Sequence, residues 1–373
     1  MKRIGILGGG QLGRMLLQAA ANYPVYTMVL EKGTDAPAAL LCDEFTNGDI
    51  RNFDSVLMFG RKADVITIEI ENVNIEALFQ LQQEGKTIIP RPEVLQIIRD
   101  KGLQKQFYQE NNIPTAPFVL TERASELNNY IDFLPAAHKL RTGGYDGKGV
   151  AIITNQTQLN QGFDAPSVLE KGVAIAKEIA VTVACNNDGD LVIYPAVEMV
   201  FDPQYNLVDY QIAPAQITAE QAATAAGIAV QVVKAFNSAG IFAIEMFLDK
   251  NGAILVNETA PRTHNSGHQS IEANYTSQFE MQLRLLLDLP LGNPELREPA
   301  LMWNIIGAPD VNGTFTLSGL EETLAIPNTY LHLYGKTSTK PGRKLGHLTL
   351  LGPPHETVRW IQHIKQLVVT KPA

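Results

Sequence analysis

Residues 241–258 read Ile-Phe-Ala-Ile-Glu-Met-Phe-Leu-Asp-Lys-Asn-Gly-Ala-Ile-Leu-Val-Asn-Glu. Two apolar runs flank Asp249-Lys250-Asn251-Gly252, and Asn-Gly is the favoured central pair of a two-residue type I′ hairpin turn. With Asn251 and Gly252 at the centre, Phe247 is expected to face Val256, and Glu245 to face Glu258. Opposed side chains in such a pair have Cβ atoms about 5 Å apart, so two like charges there repel unless something neutralises them. A shared proton is one solution. A hard divalent cation is the other; Mg²⁺ takes carboxylate oxygen and keeps positions for water and phosphate. Asn257, beside Glu258, lies at the same end. The plainer alternative is a solvated hairpin face with a lysine nearby.

Upstream, residues 139–150 read Lys-Leu-Arg-Thr-Gly-Gly-Tyr-Asp-Gly-Lys-Gly-Val. Backbone amides in a glycine-rich loop cradle phosphate oxygens, and Lys139 and Lys148 add positive charge. Glycines also give such a loop the freedom a lid requires. A phosphate loop beside an acidic metal pair points to ATP-driven chemistry.

The N-terminal stretch carries a weaker signal. Gly8, Gly10 and Gly13 fit the dinucleotide pattern between a strand and a helix, with Glu31 closing the next strand. Strands over 3–7, 25–30 and 63–70 alternate with helices near 53–60 and 74–84, which indicates a doubly wound parallel sheet over residues 1–95. A helix is expected over 93–111, ending before Ile113-Pro114. Beyond it the pattern becomes α+β: strands at 136–141, 149–153, 178–186 and 191–199, a helix at 218–238, the hairpin, and a helix at 276–287. We read 96–295 as one nucleotide-binding domain, with a lid subdomain at about 115–180. Pro290–Pro299 marks a boundary before a small β-rich domain, 296–373, with strands at 302–306, 330–334 and 346–351 and a helix over 355–367.

The net charge of −9 argues against a nucleic-acid surface, and the 45% hydrophobic content supports a sizeable core. Cys42 and Cys185 make neither a disulfide framework nor a thiolate metal site. No signal-peptide pattern and no long apolar run is present, so a cytoplasmic protein with no membrane partner is expected.

Five motifs in order carry a specific resemblance: Gly8–Met15, Glu69–Val73, Gly143–Gly149, Asn257–His268, and Gly335-Lys336 with Pro341–His347. Together they resemble the N5-carboxyaminoimidazole ribonucleotide synthetases, a family of ATP-grasp ligases. The resemblance implies a three-domain ATP-grasp fold, usually homodimeric. It implies an enzyme of purine biosynthesis that uses ATP and bicarbonate to carboxylate the exocyclic amine of 5-aminoimidazole ribonucleotide, with Mg²⁺, or alternatively Mn²⁺. On the same basis Arg99 and Lys139 correspond to phosphate contacts, and Gly144, Tyr145, Asp146, Gly147, Lys148, Gly149 and Val150 to the lid. Glu170, Lys171, Gly172 and Val173 correspond to the adenine segment, Glu178 to the ribose carboxylate, and Asn257 and Glu258 to further ATP contacts. Glu245 and Glu258 correspond to the metal ligands.

For the ribonucleotide, Gln11, Glu71, Tyr145, Arg262 and His264 resemble family contacts, and Lys336, Arg343 and Lys344 its phosphate site. Tyr145, Lys148, His264 and Lys336 are the candidate catalytic residues: Tyr145 and His264 to orient the nucleophile and handle its proton, Lys148 to stabilise an oxyanion. Phe201 stands where the family usually has a histidine, Thr142 where an aromatic is common and Thr263 where proline is common. Two other readings remain open at this level. One is a formate-dependent glycinamide ribonucleotide transformylase, also ATP-grasp; the other is a nicotinamide-dependent oxidoreductase built on the first glycine loop.

Overall fold

The computed structural model describes residues 1–144 and 149–373. Strands β1 (Lys2–Leu7), β2 (Val25–Glu31), β3 (Glu44–Asn47), β4 (Val65–Ile68) and β5 (Thr87–Ile88) form a parallel sheet in the order β3-β2-β1-β4-β5. The central strands β1, β2 and β4 are buried at consecutive positions because both faces are covered. Leu7, Met28, Leu30 and Ile66 pack on one face against Val56 and Phe59 of α2 (Phe53–Arg61, counting α1 as Gln11–Ala20) and Leu78 of α3 (Ile75–Gln83). Ile4, Ile6, Val29 and Val65 pack on the other against Leu12 and Leu16 of α1, and against Phe279 and Leu283 from far along the chain. This is the doubly wound layer expected from the sequence.

The helix expected over 93–111 is two helices, α4 (Pro92–Arg99) and α5 (Lys101–Glu110). Asp100 between them is extended (φ −109°, ψ 110°), and its carboxylate caps α5 by accepting from the amides of Gly102 and Leu103. A side chain that satisfies two orphan N–H groups starts a new helix rather than continuing the old one.

A small antiparallel sheet follows: β6 (Phe118–Thr121), β7 (Ala136–Leu140), β8 (Val150–Ile153) and β9 (Ser167–Lys171), in the order β6-β9-β7-β8. The larger sheet begins with β10 (Ile175–Cys185), β11 (Leu191–Ile193), β12 (Val197–Asp202) and β13 (Leu207–Ala213). The single strand expected over 191–199 is broken at Tyr194-Pro195-Ala196, and β13 was not expected. Helix α6 (Ala219–Phe236) opens with a capping box, Thr218 with Gln221, and ends at Asn237 in the left-handed region. It packs against β10, β14 (Gly240–Asp249) and β15 (Ile254–Ala260) through Ala229, Val232 and Val233.

The chain continues through α7 (Ser270–Ala273), α8 (Gln278–Leu287), β16 (Ala300–Ile306), β17 (Phe315–Ser318), α9 (Leu320–Leu324), β18 (Thr329–Leu333), β19 (Lys344–Leu351), α10 (Pro354–Leu367) and β20 (Val369–Pro372). Strands β16, β19 and β18 extend the larger sheet, whose path is β15-β14-β10-β12-β13-β16-β19-β18. Helix α8 returns to cover the first sheet, where Gln282 Nε2 donates to Thr67 Oγ1 at 2.8 Å. Among the described residues, no helix is long and apolar enough to cross a membrane.

The hairpin differs from expectation in one instructive respect. Its loop has three residues, Lys250–Gly252, not two: the Asp249 amide donates to Ala253 O at 2.9 Å. Asp249 Oδ1 accepts from the amides of Asn251 and Ala253, each at 2.8 Å, and Gly252 takes φ +90°. Near the turn, Phe247 therefore faces Leu255 rather than Val256. A β-bulge then adds Asn257 to β15, the register shifts, and Glu245 faces Glu258 after all.

Leu283 is 1% exposed at the seam between α8 and the first sheet. Leu283→Ala is expected to destabilise the fold by about 2–5 kcal/mol, read as a lower urea midpoint.

Candidate active site

A cavity of about 630 Å³ opens between the small sheet, the start of α5 and the hairpin. Thirteen of the residues singled out in the sequence line it: Lys139, Gly144, Val150, Glu170, Lys171, Gly172, Val173, Glu178, Glu245, Asn257, Glu258, His264 and Lys344. In an unbroken strand, neighbours point to opposite faces. The bulge at Asn257 removes that alternation, and Asn257 and Glu258 both reach the cavity.

The opposed carboxylates are electrostatically unequal. Lys101 Nζ lies 2.6 Å from Glu258 Oε2, and its charge holds Glu258 well below the ordinary carboxylate range despite burial. Burial, then the charges of Glu258 and Glu178, push Glu245 upward. The two carboxylates thus hold a proton unequally, Glu258 pushed down and Glu245 pushed up. Glu258 keeps 43% of its side-chain surface open, on the cavity side. Among the described residues, no three His, Cys, Asp or Glu side chains form a closed metal cage. Two hard carboxylates with an open side suit Mg²⁺, which retains water and phosphate ligands.

Beside this pair is a buried lysine group. Glu170, 3% exposed, lies 3.1 Å from Lys139 Nζ and 3.2 Å from Lys105 Nζ. Burial alone would raise its pKa, but the two lysines hold it below its usual range. Burial lowers Lys105 to about 8. Lys139 Nζ also donates to Asn257 Oδ1 at 3.1 Å, which ties β7 to the bulge. Burial raises Glu178 to about 7.

His264 is neutral: burial, then the charge of Arg262, lowers it to about 3. Its Nδ1 accepts from the Ser266 amide at 3.3 Å, which puts the ring proton on Nε2. Nε2 lies 3.4 Å from Glu245 Oε1.

A second cluster adjoins the cavity at His264 and Lys344. Arg262 NH2 pairs with Glu71 Oε1 at 2.9 Å. Lys336 Nζ donates to Gln11 Oε1 at 3.2 Å and to Lys344 O at 2.6 Å. Arg343 NH1 donates to Ser338 O at 2.9 Å. Five residues read from the sequence as ribonucleotide contacts, Gln11, Glu71, Arg262, Lys336 and Arg343, thus stand outside the cavity wall.

The structure parts from the sequence reading at Arg99. Its guanidinium donates to Val73 O at 3.3 Å, and it does not line the cavity. The break at Asp100 turns the chain, so Lys101 faces Glu258 instead. Lys101 and Lys105 were missed, because a helix expected to be continuous gave no reason to prefer them. Gly149 stays off the wall but is needed at the loop root: at φ +74°, an added Cβ would lie 3.2 Å from Gly144 Cα. Phe201, left aside in the sequence reading, lines the cavity. Tyr145, Asp146, Gly147 and Lys148 lie outside the described residues.

The first glycine loop is occupied by the chain itself. Glu31 Oε2 accepts from the Gly9 amide at 3.0 Å, and Glu69 Oε1 accepts from the Leu12 amide at 3.1 Å at the start of α1. An added Cβ at Gly10 would lie 2.4 Å from Glu69 Oε1. Two of the amides that would face a dinucleotide pyrophosphate, those of Gly9 and Leu12, are therefore already taken by carboxylates, which counts against an oxidoreductase.

The two sheets, the loop root and the cleft between them define an ATP-grasp protein, and the ATP-grasp domain description matches residues 106–279. The ribonucleotide synthetase preATP-grasp domain matches 1–99, and the phosphoribosylaminoimidazole carboxylase C-terminal domain matches 300–360. The N5-carboxyaminoimidazole ribonucleotide synthetase structure from Thermotoga maritima is 40% identical, covers 100% of both chains and superposes with a TM-score of 0.93. The Aspergillus clavatus N5-carboxyaminoimidazole synthase, solved with ADP and 5-aminoimidazole ribonucleotide, is 33% identical over 98% of each chain, with a TM-score of 0.89. Phosphoribosylaminoimidazole carboxylase from Ogataea methanolica is 38% identical over 93% of this chain, which spans 66% of that longer protein. The chain spans slightly less than two thirds of several such relatives. The chain belongs to the N5-carboxyaminoimidazole ribonucleotide synthase family.

Burial raises Glu69 from 4.5 to about 7, so the folded chain retains a proton that the unfolded chain releases above its ordinary carboxylate range. Stability therefore falls as pH rises from 4.5 through about 7. Glu69→Gln should remove that slope, gaining about 1–3 kcal/mol on the parent between about pH 5 and pH 8 in urea titrations. Parallel pH profiles would reject the assignment.

Proposed function

We propose that the protein is an ATP-dependent ligase that carboxylates the exocyclic amine of 5-aminoimidazole ribonucleotide with bicarbonate. The products are N5-carboxyaminoimidazole ribonucleotide, ADP and phosphate, within purine biosynthesis. The observation that carries this reading is the opposed pair Glu245–Glu258, set against Lys101 and Lys139 in one cleft. The Aspergillus clavatus relative was crystallised with ADP and 5-aminoimidazole ribonucleotide, which supports the same two ligands here. We read the chain as three domains, 1–95, 96–295 and 296–373, acting as a cytoplasmic homodimer.

Bicarbonate is a poor electrophile. Transfer of the γ-phosphoryl group of ATP to a bicarbonate oxygen gives carboxyphosphate and ADP. The amine then takes the carboxyl group, phosphate leaves, and the amine proton is lost. Lys139 and Lys101 bring positive charge to the phosphates, and the wall from Glu170 to Val173 with Glu178 holds the nucleoside. Glu245 and Glu258 would hold Mg²⁺, or Mn²⁺, which supplies neutralisation of phosphate charge when bound. Gln11, Glu71, Arg262, Lys336, Arg343 and Lys344 would receive the ribonucleotide, with Lys336, Arg343 and Lys344 on its phosphate. Neutral His264, with its proton on Nε2, donates rather than accepts, so its role is to orient a reacting oxygen.

Glu258→Ala is expected to lower ADP formation at least about 100-fold with the fold retained, since even outer partners of metal ligands cost 10–100-fold. Normal turnover would remove the metal assignment. ADP release should need both bicarbonate and 5-aminoimidazole ribonucleotide. If formate with glycinamide ribonucleotide drives it instead, the substrate assignment is wrong.

A further inference from the structure

Among the ion pairs that the reaction as described does not use is a partly buried one beside the cleft. Asp100 accepts a fork from Arg141: Nε to Oδ1 at 2.8 Å and NH2 to Oδ2 at 2.7 Å. The same Oδ1 caps α5 by accepting from Gly102 N at 2.8 Å. The Lys101 amide donates to Arg141 O at 2.8 Å. The end of β7 is thus stitched to the first turn of α5 by side chain and backbone together.

Each stitched position adjoins a cavity lysine. Lys101 follows Asp100 and reaches Glu258, in the larger sheet, at 2.6 Å. Lys139 lies two residues before Arg141 and reaches Glu170, in the small sheet, at 3.1 Å. Asp100 and Arg141 themselves do not line the cavity.

Gly102 makes the fork possible. An added Cβ there would lie 2.7 Å from Arg141 Nε and 3.1 Å from its Cζ. The clash falls on the guanidinium that makes the fork, at the far end of a flexible side chain, while alanine suits a helix better than glycine. Gly102→Ala therefore displaces the fork without opposing the helix.

We propose that the Asp100–Arg141 fork is a positioning device for the nucleotide phosphates, fixing Lys101 relative to Lys139 across the junction between α5 and the small sheet. This rests on the reading of the cleft as the ATP site. A planar bidentate fork sets distance and angle together, which a single lysine contact does not.

The test is calorimetric binding of ADP, with the KM for ATP and the melting midpoint, on the parent, Gly102→Ala, Arg141→Lys and the double variant. Asp100→Asn, which keeps the cap acceptor and loses the charge, guards against loss of the helix start. Each single variant should weaken ADP binding and raise the KM for ATP about tenfold, while the KM for 5-aminoimidazole ribonucleotide stays unchanged. The double variant should be no weaker than the poorer single, because both remove one fork. A merely structural role would lower the active fraction and leave both KM values alone, and that result overturns the proposal. ADP affinities within about twofold of the parent overturn it equally. A parent that binds no adenine nucleotide would instead fail the reading of the cleft, and the proposal with it.

Discussion

Two carboxylates face each other across a hairpin, and the rest of the cleft answers that repulsion. Glu245 and Glu258 are opposed in β14 and β15, the first largely enclosed and the second open to the cavity. Lys101 pairs with one of them at 2.6 Å, and burial pushes the pKa of the other upward. A cation between two such carboxylates would relieve their repulsion, which is the basis for the proposed metal site. Glu170 repeats the arrangement with the signs exchanged, one buried carboxylate holding two lysines.

These charges come from three separate parts of the chain. α5 supplies Lys101 and Lys105, the small sheet supplies Lys139 and Glu170, and the hairpin supplies the acidic pair. Polar contacts across the junctions are therefore what bring the site into register. Lys139 to Asn257 ties β7 to the bulge, and Lys105 to Glu170 ties α5 to β9. The same economy appears in the first sheet, where Glu31 and Glu69 fill the glycine loop from within. A pattern that elsewhere accepts a ligand phosphate here closes on the protein's own carboxylates.

Most of the architecture was legible in the sequence because it rests on local pattern. Consecutive apolar residues in Ile4–Leu7 and Met28–Leu30 report a sheet covered on both faces, and the structure has one. The lysine–glycine stretch and the acidic hairpin pointed to one candidate site, and thirteen of the named residues line one cavity. The opposition of Glu245 to Glu258 was also foreseen, but through two departures that cancel. A three-residue loop, closed by Asp249, shifts the register, and the bulge at Asn257 restores it. Neither has a reliable signature in residue type alone.

The sequence by itself determined the layers, the order of the motifs and the kinds of side chain available for the chemistry, since propensity and periodicity are properties of neighbouring residues. Only the tertiary structure decided that Lys101, not Arg99, meets Glu258, that consecutive Asn257 and Glu258 share one face, and that the first glycine loop is filled. Each of those outcomes depends on where a distant segment supplies a hydrogen-bond partner or a counter-charge, and a linear pattern does not encode that distance.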